Sequence, residues 1–204
     1  MQNKSSDYQP RLNGNPVTLS ELDPLAFAGF AHFTALQVRD RKIKGLDLHL
    51  KRLREASLKL FGRALPDEQV QSYIKTAVSE SAKDLSLTVT IFSRHGEFTA
   101  RSMDVEPSVL VRPGAPSNGP AGSLRLSAVQ HERPMADTKH VGEVGKTYYL
   151  HQAIRGGFDD AAFVDRNGCL SEATIWNLVF WDGESVIWPK ADMLKGTMMG
   201  IVQR

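Results

Sequence analysis

The spacing of apolar residues changes along this chain, and each change marks an element. From Phe30 to Arg39, the apolar Phe33, Ala35, Leu36 and Val38 enclose Thr34 and follow His32, which predicts a strand. The charged run Asp40-Arg41-Lys42 predicts a turn, with the strand pattern resuming at Ile43. From Asp47 to Phe61 the period lengthens: Leu46, Leu50, Leu53, Ala56, Leu60 and Phe61 fall on one helical face. Asp47 is the expected cap at its start and Gly62 at its end. Pro66-Asp67 opens a second helix that turns Val70, Tyr73, Ile74, Ala77 and Val78 inward. Residues 87–93 and 108–112 are strands by their β-branched content.

Residues 112–122 read RPGAPSNGPAG, three prolines and three glycines in eleven residues, which predicts a linker rather than a helix or central strand. Beyond it, residues 124–129 predict a strand and 144–155 a helix ending at Gly156-Gly157. Residues 161–164 and 169–171 flank the turn Arg166-Asn167-Gly168, and 178–181 and 185–188 flank Asp182-Gly183-Glu184, two hairpins. Gly196 precedes a helical stretch from Thr197 to Gln203. The expected fold class is α+β in two domains: residues 1–111, a linker at 112–122, and residues 123–204.

Composition narrows the function. Charged residues are 24% and apolar residues 41% of the 204, ordinary values for a globular protein, and the net charge of +2 argues against nucleic acid or an anionic membrane as partner. No apolar run approaches a membrane span, and the polar stretch Met1 to Pro10 lacks the apolar centre of a signal peptide. Cys169 is the one cysteine, so no intramolecular disulfide can form; it reads as a small packed hydrophobe, and the cytoplasm is the expected compartment.

Candidate chemistry is concentrated in the second half. Lys139 stands thirty-three positions before Glu172 in a segment DTKHVG that reads as a loop before a helix. Glu172 sits in SEATIWN and is followed by NLVFW. Leu194-Lys195-Gly196-Thr197 forms a turn into a helix, where glycine lets the backbone approach a phosphate and the first N–H groups point at it. Upstream, His49-Leu50-Lys51-Arg52-Leu53 places Arg52 one turn after His49, and a guanidinium matches phosphate with paired donors. Taken singly, each has a bland alternative: a solvated lysine, a strand-end acid, a helix-surface arginine.

Together these segments resemble the class IV aminotransferase family over roughly residues 27–204. The resemblance implies a fold type IV enzyme, with a smaller N-terminal α/β domain and a C-terminal pseudo-barrel-like domain, and pyridoxal 5′-phosphate as cofactor. It implies that Lys139 forms the Schiff base. Lys146 lies further into the helix at a spacing that fits less well, and Lys195 belongs to the later turn. Glu172 would face the pyridine nitrogen. Arg52, Gly196, Thr197 and Met198 would hold the phosphate. Met198 stands where the family commonly has threonine, so it would offer a backbone N–H there and no hydroxyl. Family members run well past this turn, so the cofactor domain is expected to be short. Arg94, Arg101 and His32 lie near a plausible place for a substrate carboxylate but read as packing or surface residues, which leaves the substrate ligands unknown. The implied reaction is amino transfer between an amino acid and a 2-oxo acid. The alternatives are a lyase of the aminodeoxychorismate type and a non-catalytic relative. A homodimer is implied, and the apolar stretch Leu22 to Phe30 would suit its interface or equally an ordinary core.

Overall fold

The computed structural model describes residues 8–27, 29–103 and 105–204. The reading of Met1–Pro10 falls largely outside these residues, as does Ala28 of the stretch Leu22–Phe30. The chain divides into two compact units: Met1–Gly119 with Lys139–Gly142, and Pro120–Thr138 with Glu143–Arg204.

The first unit opens with β1 (Arg11–Leu12) and β2 (Asn15–Pro16), a hairpin about Asn13-Gly14 too short to register as an apolar pattern, and the one-turn helix α1 (Leu19–Leu22). Then follow β3 (Ala31–Arg39), β4 (Lys42–Ile43), α2 (Leu46–Phe61), α3 (Asp67–Ser79), β5 (Leu85–Phe92) and β6 (Ser108–Gly114). The strands form one antiparallel sheet in the order β2-β1-β6-β5-β3-β4. Leu50, Leu53 and Phe61 of α2 and Val70, Ile74, Ala77 and Val78 of α3 are buried with Leu36, Val38, Leu87, Val89, Ile91, Val109 and Val111 of the sheet. The two predicted helical faces are thus the faces that cover the sheet.

Two details depart from the sequence reading. Gly45, not Asp47, stands at the N-cap of α2, in the left-handed region at φ 64°. The linker begins later than Arg112: β6 runs on through Pro113 and Gly114, paired with Leu87 and Ser86. β1 covers only Leu110 and Val111, so β6 has β5 alone as neighbour at Pro113, where a missing N–H costs no ladder bond. Of the two roles open to the stretch Leu22–Phe30, Leu22 and Leu25 take the core one, packing partly buried on Leu12, Ala31, Phe92 and Leu110.

The second unit contains β7 (Leu126–Gln130), α4 (Val144–Arg155), β8 (Asp160–Val164) and β9 (Leu170–Ala173). β7 and β8 are parallel and β9 returns antiparallel to β8. Ala153 of α4 packs on Ala161 and Phe163 of β8, with Val129 and Tyr149 partly buried around them. β10 (Phe180–Trp181) and β11 (Val186–Ile187) form a separate hairpin, and α5 (Thr197–Val202) follows. Cys169 is exposed rather than packed, because the Asp165 carboxylate accepts the N–H groups of Asn167 and Cys169 and holds both at the hairpin tip. Among the described residues, no helix is long and apolar enough to cross a membrane.

Candidate active site

Glu172 lies on β9, where a strand residue facing inward loses its water; it is 5% exposed. A carboxylate so buried needs cationic company. It has Lys146 Nζ at 3.2 Å from Oε2 and Arg133 Nε at 3.7 Å from Oε1. Lys146 sits in the first turn of α4, itself buried, and its ammonium lies 5.9 Å from the centre of the Phe163 ring. Burial lowers the proton affinity of this lysine and neighbouring Arg133 lowers it further, against the opposing pull of Glu172 and Glu143. Arg133 is itself committed elsewhere: Nε donates to Glu143 Oε1 at 2.5 Å, Nη1 to the Ala136 carbonyl at 2.7 Å and Nη2 to the Thr138 carbonyl at 2.6 Å. His131, against the rings of Tyr149 and Phe163, closes the cluster, its proton affinity lowered chiefly by burial.

Beyond β9 the chain reverses, with the Ala173 N–H donating to the Trp176 carbonyl and Asn177 bridging back to Glu172. Asn177 then does what the sequence reading missed. Its Nδ2 donates to the Leu194 carbonyl at 2.7 Å, and its Oδ1 accepts from the Gly196 N–H at 3.0 Å. One amide side chain therefore joins the end of β9 to the turn before α5. The signal was present in the sequence as the Asn177 that closes the SEATIWN segment, but only the reversal of chain reveals its partner.

That contact redefines Gly196. Its N–H is taken by Asn177, and a Cβ at this position would stand 2.0 Å from Asn177 Oδ1. The glycine is required for close approach. The donors left at the open end of α5 belong to Thr197, Met198 and the residue after them, since the first N–H groups of a helix have no partner within it. Met198 is exposed.

Lys139 and Arg52 lie in the first unit. Residues 139–141 stay in the loop before α4, as the sequence implies, and join β3 through an isolated bridge. Lys139 accepts at its carbonyl from the Phe33 N–H at 2.9 Å, the Val141 N–H donates to the Ala31 carbonyl at 2.8 Å, and His140 bridges to His32. They add to the edge of β3 that the two-residue β4 leaves uncovered. The ammonium of Lys139 lies 4.7 Å from the centre of the Phe33 ring. Arg52 Nη1 donates to Thr34 Oγ1 at 3.4 Å, and the same hydroxyl meets His49 Nδ1 at 2.7 Å. His49 and Arg52 thus meet through Thr34. Neighbours along a strand face opposite ways, so the Lys139 amine and the Arg52 guanidinium contact opposite sides of β3.

Two of the three residues weighed for a substrate carboxylate, His32 and Arg94, have other partners. His32 is fully buried beneath Phe61 with Nε2 2.9 Å from Ser57 Oγ. Arg94 donates to Ser108 Oγ at 3.0 Å and pairs with Glu21.

A sequence profile of the amino-transferase class IV family matches residues 31–204. The chain belongs to the class IV aminotransferase family. Its fold agrees with that of solved aminotransferases. A branched-chain aminotransferase from Thermoproteus uzoniensis, solved with norvaline, superposes with a TM-score of 0.78 at 18% identity, over 96% of this chain and 74% of that one. An aminotransferase from Brucella abortus bound to PLP gives 0.80 at 16% identity, over 96% and 76%. A fold IV transaminase from Curtobacterium pusillum gives 0.71 at 22% identity, over 92% and 69%. At these identities the likeness establishes the fold. No curated protein matches the chain.

Proposed function

We propose that this class IV aminotransferase chain is a pyridoxal-phosphate-dependent transaminase acting on an amino acid and a 2-oxo acid. The observation that carries the reading is the link made by Asn177 between the buried Glu172 and the turn at Gly196. The donor set fits the cofactor: a buried carboxylate for a ring nitrogen, an amine on a loop bonded to β3, and a helix start with backbone donors beside a glycine that admits no side chain. When bound, pyridoxal phosphate supplies an electron sink for the carbanion formed at the substrate Cα.

The residues of the chain divide the work. Glu172, bonded to Lys146 and close to Arg133, would accept a hydrogen bond from the ring N–H. Lys139 would hold the cofactor covalently and, once released, move a proton at Cα as base and acid. The N–H groups of Thr197 and Met198 would bind the phosphate, and Arg52, on the other side of β3 from the Lys139 amine, would reach the same group past the edge of β3 that β4 leaves open. Lys146 is a poor candidate for the covalent role. The aldehyde carbon and the ring nitrogen stand at opposite corners of the pyridine, so an amine bonded to Glu172 is at the wrong end.

The test is direct. Purified protein mixed with pyridoxal phosphate should gain visible absorbance, and borohydride should fix the cofactor on Lys139. Lys139→Ala should abolish the fixed adduct, while a coloured, reducible adduct of unchanged stoichiometry in that variant sinks the assignment. Exchange of amino groups between donors and 2-oxo acids should yield new amino acids; a lyase would yield none. Arg52→Gln should weaken cofactor binding about tenfold, and an unchanged affinity would retire Arg52 from the phosphate. Light scattering should give the mass of a homodimer.

A further inference from the structure

The charges gathered around Glu172 balance in pairs. Arg133 is bound to Glu143 through Nε and Nη2 and to two backbone carbonyls through Nη1 and Nη2, so it gives Glu172 its field and no short hydrogen bond. Lys146 is the cation that bonds Glu172. Two cations and two carboxylates leave the cluster neutral, and a neutral cluster is what a water-poor site tolerates. A third cation placed against Glu172 would leave an uncompensated buried charge.

We propose that Lys146 is a proton-linked positioning residue: it holds the Glu172 carboxylate while the ring site is free of cofactor, and it gives up its proton to solvent when a protonated ring nitrogen is seated against Glu172. The inference rests on the reading of Glu172 as the ring-nitrogen carboxylate. The balance is simple. The ammonium of Lys146 becomes an amine, one proton leaves to water, Glu172 stays ionised and accepts from the ring N–H, and the cluster stays neutral.

The groups facing Lys146 decide which member yields. From β9 comes Glu172, from the loop after β7 both His131 and Arg133, from the residue before α4 Glu143, and from β8 the Phe163 ring. Arginine does not deprotonate in proteins. Glu172 must remain charged to hold the ring proton. Lys146 is already the weakened member, since burial disfavours its charged form and Glu172 is the foremost of the groups that oppose this. Sharing Glu172 with a second cation removes part of that support. Lys146 therefore acts through Glu172 and not on substrate.

Titration calorimetry of the full chain with pyridoxine 5′-phosphate reads this out. The probe has an alcohol in place of the aldehyde, so Lys139 does not react with it. Runs in two buffers of different ionisation heat count the protons exchanged. The wild-type chain should release about one proton more on binding than Lys146→Met, and the slope of log Kd against pH should differ by about one between them. Lys146→Gln, which keeps a donor to Glu172 without the charge, should behave as Lys146→Met does and covers the case in which the methionine variant folds poorly. Lys146→Arg cannot shed its proton and should bind at least about tenfold more weakly than wild type. Equal proton counts in wild type and both neutral variants overturn the proposal. Failure of the underlying reading has a different signature: Glu172→Gln would keep wild-type affinity for the probe, or the wild-type chain would not bind it. Equal counts together with weakened binding in Glu172→Gln would dismiss Lys146 alone.

Discussion

Two side chains show how much a single position carries here. Asn177 makes its contacts with both ends of one amide, and Gly196 leaves room for them. In Gly196→Ala the new methyl would collide with Asn177 Oδ1, so either the amide or the turn must shift. We expect at least about a tenfold loss of affinity for pyridoxal phosphate, read by absorbance titration, with far-UV circular dichroism unchanged. Unaltered affinity would mean the turn does not touch the cofactor. The buried histidines carry a pH signature of their own. Burial holds His49 down to about 4 and His32 to about 3, from an ordinary 6.5. Arg52 adds to the effect on His49. Nδ1 of His32 is buried without a hydrogen-bond partner among the described residues, so a proton placed there would find no acceptor. Below pH 6.5 the unfolded chain binds protons that the folded chain refuses. Stability should therefore be flat above that value and fall as pH drops toward 4, by up to about 1.4 kcal/mol per pH unit for each histidine. Denaturant melts from pH 7.5 to 4.5 measure this, and His49→Gln should flatten the slope.

At the scale of elements, the first unit is built as a covered sheet. The register of β3 against β5 sets Leu36 opposite Leu87 and Val38 opposite Leu85, and both pairs are buried under the helices. Gly62 ends α2 at φ 70°, a conformation glycine takes without strain, with its N–H returned to the Leu58 carbonyl. This lets the chain turn back into α3. Ile74 is fully buried at the centre of the face α3 presents. Ile74→Ala should cost about 2–5 kcal/mol in urea melts, since a cavity here is walled by strands on one side. A cost under about 1 kcal/mol would mean the helix repacks. In the second unit, α4 returns the chain from β7 to its parallel neighbour β8 and so delivers Lys146 against β9. The burial of that lysine is a consequence of the crossover.

At the scale of the molecule, the two units differ in how much apolar surface they hide. The first buries long aliphatic rows beneath two helices, whereas the second gathers Ala153, Ala161 and Phe163 with few partners and leaves Val179, Phe180, Trp181, Val186 and Ile187 exposed. All three tryptophans, Trp176, Trp181 and Trp188, belong to the second unit, while the longest helices belong to the first. Tryptophan emission should therefore change at lower denaturant concentration than far-UV circular dichroism. Coincident curves would mean the chain unfolds as one cooperative body. The same contrast governs what was legible in advance. Helices α2, α3 and α4, the hairpin at Asn167-Gly168 and the strand from Ala31 to Arg39 follow from residue spacing, because burial of one face repeats with the period of the element. Spacing and chemistry also singled out Lys139, Glu172, Arg52 and the Gly196 turn as candidates. Which residues meet is another matter, since contacts between distant segments leave no period in a sequence. The exposure of Cys169, the amide bridge of Asn177, the hold of Lys146 and Arg133 on Glu172, and the addition of residues 139–141 to β3 arose only when strand pairing and the α4 crossover brought those segments together.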